Sequence, residues 1–317
     1  MSERGKSLGP QESAFKRQVQ LSHLVDALDV SAQSPLGIKA RRIVEGIITI
    51  WNHNGGYFVR DDATAIQSLV LHELSPSDYK EIAKLSFANW ATADRLAGPG
   101  LPHLNRINQR LGKKVAFLAK RDKKNQIRIL DLGAGLLHTT QSIVQAVAPL
   151  GCHIEVTAVD ATSALMQAAK VRREQLLHTF PQVEITLYLG DMLEFLRSLL
   201  SRSVDYITIS FAIHHLHPTE QSELIQEAWR VLRVPGAFLL ADPQEGKSDF
   251  NLKTLIYEEP EAIFAAFTSP DSMRRLLQKV GFSPVRVLLR DDIGFEGYAV
   301  CGEKLRDNTD ATGRNDR

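Results

Sequence analysis

The feature that most constrains this fold is a change of hydrophobic period near residue 127. From there on, short apolar runs alternate with amphipathic stretches. The runs near 127–132, 154–159, 183–189, 204–210, 236–241, 284–289 and 297–301 have the length and composition of strands. Between the first five lie "TTQSIVQAVAPL", "TSALMQAAKVRREQLLHTF", "MLEFLRSLLS" and "TEQSELIQEAWRVLR", whose apolar residues recur at helical spacing. A strand that must pair in parallel with the next needs a crossover, and a helix is the ordinary one. The pattern therefore predicts an α/β domain: a mostly parallel seven-stranded sheet with helices on both faces. "SPDSMRRLLQKVGF" adds a helix with Ser269 as its N-cap and Gly281 as its stop. The last two runs, separated by "DDIGFEG", read as a C-terminal antiparallel hairpin.

The first third differs. Residues 1–15 are polar and expected to be a disordered tail, as are residues 304–317, "KLRDNTDATGRNDR". Residues 16–120 carry helical spacing and read as an α-helical N-terminal domain, with the sheet domain over 121–303. Trp51, Tyr57, Phe58 and Trp90 in that helical part read as core or as a lid over a ligand, and its apolar faces as a surface for a homodimer. Residues 106–128 concentrate Arg106, Arg110, Lys113, Lys114, Lys120, Arg121, Lys123, Lys124 and Arg128 against the single acid Asp122. This stretch reads as a solvated linker helix or as a track for a phosphate backbone.

Overall composition excludes several classes. A formal net charge of +1 recruits neither nucleic acid nor an acidic membrane. Two cysteines, Cys152 and Cys301, offer no spacing for zinc or a redox pair, so no metal is expected. Neither a signal peptide nor a long apolar span is read, which leads to the expectation of a cytoplasmic protein with no membrane partner.

The chemistry concentrates in "IRILDLGAGLLHTTQSIV", residues 127–144. Ligands of open α/β sheets bind beyond the carboxyl ends of the strands, where strand turns into helix. Gly133 and Gly135 permit backbone angles and close approaches that a Cβ forbids, and a helix starting near Thr139 points free amides at the ligand. Asp131 sets the ligand's charge: it repels a pyrophosphate and welcomes an amino-acid ammonium group. Asp160 closes the second run, 29 residues on (160 − 131), and Asp191 follows the third. Either also reads as a helix N-cap.

The segment "DLGAGLL" resembles the first motif of class I S-adenosylmethionine-dependent methyltransferases, with Asp131, Gly133 and Gly135 in place and Leu137 where the third glycine stands. The resemblance covers roughly residues 125–303 and implies a Rossmann-like fold with S-adenosyl-L-methionine as cofactor. It implies that Asp131, Gly133, Ala134 and Gly135 form the turn beneath the methionine part, where a side chain at 137 would crowd the ligand. Asp160, with Ala161, would take the ribose hydroxyls, since a carboxylate accepts from two neutral donors well. Asp191 and Met192 would hold the adenine. In "SFAIHHL", Ser210, Phe211 and Ala212 would line the transfer site.

Methyl transfer asks the protein to position an acceptor, exclude water and, for a hydroxyl or thiol, remove a proton. His214 and His215 are the candidate bases; they also read as packing groups beneath the loop. Asp242 is a candidate for orienting the substrate. The chain lacks the (D/N)PPY of adenine amino methyltransferases, which disfavours nucleic acid and favours a small organic acceptor. Three rival readings remain: an NAD dehydrogenase, an RNA methyltransferase using the basic stretch, and a weakly catalytic binding subunit of the same fold.

Overall fold

A computed structural model of the chain describes residues 33–54, 62–90, 102–243, 266, 268–291 and 297–306. It divides into two compact units, one reaching to Ser86 and the other starting at Phe87.

In the first unit the described helices are α1 (Pro35–His53), α2 (Asp62–Glu73) and all but the last turn of α3 (Pro76–Trp90). Leu36, Ala40, Ile43, Val44 and Ile47 repeat at helical spacing and are buried along one stripe of α1. Gly46 lets α2 approach closely, since a Cβ there would stand 2.4 Å from Leu69 Cδ2. α3 opens with a reciprocal cap. The Ser75 amide donates to Asp78 Oδ2 at 2.7 Å and the Asp78 amide donates to Ser75 Oγ at 3.4 Å. Lys39 of α1 joins the same carboxylate at 2.5 Å. Of the four aromatic residues weighed for a core or a lid, Tyr57, Phe58 and the side chains of Trp51 and Trp90 lie outside the described residues.

The second unit holds α4 (Pro102–Arg121), β1 (Gln126–Leu132), α5 (His138–Val147), β2 (His153–Asp160), α6 (Ser163–Thr179), β3 (Val183–Leu189), α7 (Met192–Ser198), β4 (Val204–Ser210), α8 (Pro218–Val231), β5 (Leu232–Pro243), α9 (Pro270–Val280), β6 (Val285–Asp291) and β7 (Gly297–Lys304). The sheet order is β3-β2-β1-β4-β5-β7-β6. The first five strands run parallel, and β7 pairs antiparallel with both β5 and β6. This is the mostly parallel Rossmann-like sheet with a C-terminal antiparallel pair that the alternating pattern predicts. The chain steps outward from β1 to β3 and returns to β4 beside β1, so the strand order reverses between β1 and β4, where open sheets of this kind bind ligands.

Both faces are covered, which explains the near-continuous apolar runs. Ile127 and Ile129 of β1 join Ile154, Val156, Tyr206 and Leu239 on one face, under α4 and α5. Leu130 and Leu132 join Val159, Ile207, Ile209 and Phe238 on the other, under α7, α8 and α9. Side chains alternate between faces along a strand, so a one-residue slip would exchange the two sets.

Two expected boundaries move. The helix Pro102–Arg121, expected in the helical domain, belongs to the sheet unit: its Ile107, Leu111, Val115 and Leu118 are fully buried in the sheet's core. Gly112 allows that contact, because a Cβ there would meet Ser142 O at 2.4 Å. Secondly, Lys304, expected to open the tail, is the last residue of β7 and is 2% exposed. Its Nζ donates to Trp229 O at 2.8 Å and Leu232 O at 2.9 Å, satisfying carbonyls at the carboxyl end of α8.

The basic stretch also proves structural. Lys114 and Arg121 both bind Glu303, at 3.0 and 2.5 Å. Lys124 binds Asp205 at 2.5 Å and Pro235 O at 3.0 Å, while Arg128 binds Glu155 at 2.9 Å. Four of the nine cations thus bind α4 and β1 to the rest of the sheet. No described helix is long and apolar enough to cross a membrane.

Candidate active site

The tips of β1 to β4 converge on the turn after β1. Gly133 and Gly135 both take left-handed angles, φ 65° and 48°. Gly133 is required by a close approach as well, since a Cβ there would be 2.2 Å from Ala212 Cβ and 3.9 Å from Met192 Cε. Gly135 has nothing within 4 Å of that position, so its backbone faces open space. Met192 and Ala212 are brought to the turn by the ends of β3 and β4.

Leu137 does not crowd this space, contrary to the expectation. It stands at the head of α5 with φ 63°, the left-handed angle a glycine would adopt there, and its side chain is fully buried with Ala134, Ala158 and Ala169. The price of the missing glycine is backbone strain of about 1 kcal/mol. It also leaves α5 with no side-chain cap.

The three acids divide their roles. Asp160 is 9% exposed; its Oδ2 accepts from the Gly135 amide at 2.9 Å and its Oδ1 from the Thr162 amide at 2.8 Å. One carboxylate thereby fixes the glycine turn of the neighbouring strand. Burial raises it above the ordinary carboxylate range, against the pull of those amides. Its carbonyl also accepts from the Gly190 amide at 2.9 Å, tying β2 to the end of β3.

Asp131 was expected to face the ligand directly, yet it is 1% exposed, with Oδ2 accepting from Thr140 Oγ1 at 2.5 Å and Oδ1 from Thr208 Oγ1 at 2.8 Å. Thr208 is its register partner on β4, which explains the contact. Burial pushes Asp131 up to about 6; the two hydroxyls oppose that rise and the charge of Asp160 adds to it. Asp191 is the N-cap of α7, its Oδ1 accepting from the amides of Leu193 and Glu194, both at 3.0 Å. This is the capping role that its position equally allowed.

At the end of β4, Phe211 takes φ 56°, a strained angle for a bulky residue, held by its amide donating to Ala241 O at 2.8 Å. Ser210 donates to Asn108 Oδ1 of α4 at 2.7 Å, and Thr139 donates to the same oxygen at 3.2 Å. Asn108 is 4% exposed and had no sequence signal of its own: a single amide inside a basic helix is invisible until the helix is docked.

His214 is buried, with Nδ1 2.7 Å from Asp242 Oδ1. His215 is half-buried, its ring 4.0 Å from that of His214. Burial drives His214 down to about 3 and lowers His215 well below the usual range, the latter helped by His214. Burial raises Asp242 well above the carboxylate range, so the buried pair stays net neutral. His217 serves locally, accepting from the Thr219 amide as the cap of α8. Ala134 is buried and Ala161 half-buried beside the two acid-bearing tips.

Known proteins are similar to this chain in sequence or in fold. Residues 129–236 match the family model described as a methyltransferase domain. A carboxy-S-adenosyl-L-methionine synthase of Aeromonas hydrophila is 27% identical over 128 residues, 40% of this chain and 48% of that protein. The chain spans only 10% and 48% of the lengths of two curated relatives it matches. Among solved structures, the DszA carbon methyltransferase is similar with a TM-score of 0.55 at 16% identity, over 93% of this chain and 91% of that one. The 1,6-didemethyltoxoflavin-N1-methyltransferase of Burkholderia thailandensis has a TM-score of 0.50 at 16% identity, over 74% and 92%. Residues 129–236 are thus matched as a methyltransferase domain, and the sheet that carries them has the fold of the class I S-adenosylmethionine-dependent methyltransferases.

Proposed function

We propose that the protein transfers the methyl group of S-adenosylmethionine to a small organic acceptor beyond the carboxyl ends of β1 to β4. The observation that carries this reading is the Gly135 amide. In a site built for a pyrophosphate, that amide faces phosphate oxygens. Here it donates to the Asp160 carboxylate at 2.9 Å, and a second carboxylate, Asp131, lies under the same turn. Such a pocket suits a ribose diol joined to a cationic amino acid and repels NAD.

The residues present fit the cofactor. Gly133, Ala134 and Gly135 offer open backbone at the turn, Asp160 with Ala161 would take the ribose hydroxyls, and Asp191 with Met192 would flank the adenine. Ser210, Phe211 and Ala212 would line the reacting end. When bound, S-adenosylmethionine supplies an activated methyl that already carries its leaving group. What remains for the chain is to orient the acceptor, exclude water and receive its proton. In this reading His215 receives the proton, being neutral and the more exposed of the two rings, and His214 is fixed behind it by Asp242.

A small acceptor is supported by the ion pairs that occupy Lys114, Arg121, Lys124 and Arg128, which commit four of the nine basic side chains to contacts within the fold. The Burkholderia structure, of the same fold, holds 1,6-didemethyltoxoflavin with S-adenosylhomocysteine, a precedent for a small acceptor.

Calorimetric titration of the purified protein tests the reading. Saturable binding of S-adenosylhomocysteine without NAD binding is expected, abolished or weakened at least tenfold by Asp160→Ala; binding of NAD alone would reverse the assignment. With an acceptor identified by S-adenosylhomocysteine release across a panel of small molecules, His215→Gln is expected to lower kcat by about 10²–10⁴ with unchanged cofactor affinity.

A further inference from the structure

Among the described residues, Asp242 Oδ2 and the Tyr298 hydroxyl are buried polar atoms with no hydrogen-bond partner, and both side chains are fully buried. Asp242 is the register partner of Tyr298 across β5 and β7, so the two leave the same face of the sheet side by side. Burial raises the Tyr298 hydroxyl and the charge of Asp242 adds to it, so each group senses the other. Asp242 Oδ1 is taken by His214 Nδ1 at 2.7 Å, which leaves Oδ2 as its open oxygen. An unmade hydrogen bond at a buried atom is costly, and two such atoms on one register pair point to a shared partner.

The place of the pair says what that partner is. Asp242 stands one residue before the end of β5 and Tyr298 one residue after the start of β7, so both lie at the carboxyl ends of the parallel strands. The Phe211 amide donates to Ala241 O at 2.8 Å, which sets Asp242 next to the backbone proposed to line the reacting end. Asp160 and Asp191 lie at the tips of β2 and β3, and the order β3-β2-β1-β4-β5-β7 puts the pair on the opposite side of the glycine turn, where an acceptor belongs. Leu240 and Val300 follow the pair on the same face, with Met273 and Phe282 in the same apolar cluster, so an added bare charge is costly there. A carboxylate would also meet the charge of Asp242. A hydroxyl suits both groups: one oxygen gives a hydrogen and accepts another, so it serves Oδ2 and Tyr298 together whichever of them holds a proton.

We infer that Tyr298 and the open oxygen of Asp242 bind an uncharged hydroxyl of the methyl acceptor, which makes a small alcohol or phenol the substrate class. The inference rests on the methyl-transfer reading above and adds a specificity residue on β7, outside every motif read in the sequence. Asp242 then has two duties: Oδ1 orients His214 and Oδ2 holds the acceptor. A hydroxyl reserved for a ligand does not serve the fold, so its removal leaves stability unchanged or raises it; a hydroxyl satisfied by an internal water would lose stability on removal.

The test compares phenol with anisole, which caps the hydroxyl, and benzene, which lacks it, on the full chain saturated with S-adenosylhomocysteine. Ligand-observed NMR titrations are expected to show saturable phenol binding, with anisole and benzene weaker by about tenfold or more. Tyr298→Phe, which removes one oxygen and keeps the ring, is expected to weaken phenol about tenfold with S-adenosylhomocysteine affinity unchanged, and to leave Tm of the ligand-free protein equal or higher. The three-ligand comparison on the unaltered protein stands even if that variant fails to fold. No phenol binding, equal affinity for phenol and benzene, phenol affinity untouched by Tyr298→Phe, or a fall in Tm that assigns the hydroxyl to the fold or to an internal water would overturn the hydroxyl site and leave the cofactor reading standing. Failure of the unaltered protein to bind S-adenosylhomocysteine would overturn the cofactor reading itself, and the acceptor role of the pair with it.

Discussion

At the scale of single residues, Leu137 and Asp131 show how a position can match a motif and work differently from it. Leu137 holds a glycine's backbone angle while burying a full side chain. Burial of a leucine is worth more than left-handed strain costs, roughly 2–5 against about 1 kcal/mol. Leu137→Gly is therefore expected to destabilise in urea unfolding, and Leu137→Ala to destabilise by about 1 kcal/mol more, since alanine loses the packing and keeps the strain. The usual order of the two substitutions is reversed here. Asp131, pushed up to about 6 by burial, loses its charge as pH falls through that value. Affinity for a ligand bearing an ammonium group is expected to weaken below about pH 6, and Asp131→Asn to flatten that profile in calorimetry while lowering affinity at pH 8.

At the scale of elements, α4 links the two readings of the basic stretch. It ends in a Schellman motif: the Lys124 amide donates to Ala119 O at 3.2 Å and the Lys123 amide to Lys120 O at 3.3 Å, with Lys123 at φ 51°. Lys123→Gly is expected to raise stability by about 0.5–1 kcal/mol, read as an upward shift in Tm. Lys124→Ala is expected to lower Tm, because it strips a cation from Asp205, which is 2% exposed. The same helix is bound to β7 through Glu303. Burial raises that carboxyl, but hydrogen bonds from Arg121 and then Lys114 outweigh it and hold it below the ordinary range. A depressed carboxylate stabilises fully above its unfolded value, about 4.3, and the benefit is lost as pH falls through its folded value. The loss of stability in Glu303→Gln is thus expected at pH 7 and to fade below pH 4.

At the scale of the whole molecule, buried titratable groups set a balance. Burial lowers His138 to about 4, His214 to about 3 and His215 well below its usual value. Unfolding frees them to bind protons below about pH 6.5, so they cost stability as pH drops under that value. Burial raises Asp131, Asp160 and Asp242, which keep protons in the fold that the unfolded chain releases above about pH 4. The two sets oppose each other between about pH 4 and 6. Below pH 4 Asp131, Asp160 and Asp242 are protonated in both states, and the histidine cost is joined by the loss of the depressed carboxylates Glu303, Asp78 and Glu155. Urea midpoints are expected to change little between about pH 4.5 and 6.5 and to fall steeply below 4; a steady slope through the upper window would contradict these environments.

Much of this protein was legible in its sequence. The strand and helix alternation after residue 127 is imposed by burial on both sheet faces, a local pattern that survives without coordinates, and the acid and glycines of "DLGAG" mark the turn because backbone angles belong to individual residues. Tertiary structure alone decided the rest. Whether an aspartate faces ligand, caps a helix or braces two threonines depends on neighbours distant in the chain: Asp131 meets Thr208 across 77 residues, and Asn108 meets Ser210 across 102. The docking of α4 likewise depends on Glu303 and on Ser142, partners that no local window contains. Periodicity records which face of an element is apolar; which polar groups meet at the tips of the strands is fixed only when the sheet has assembled.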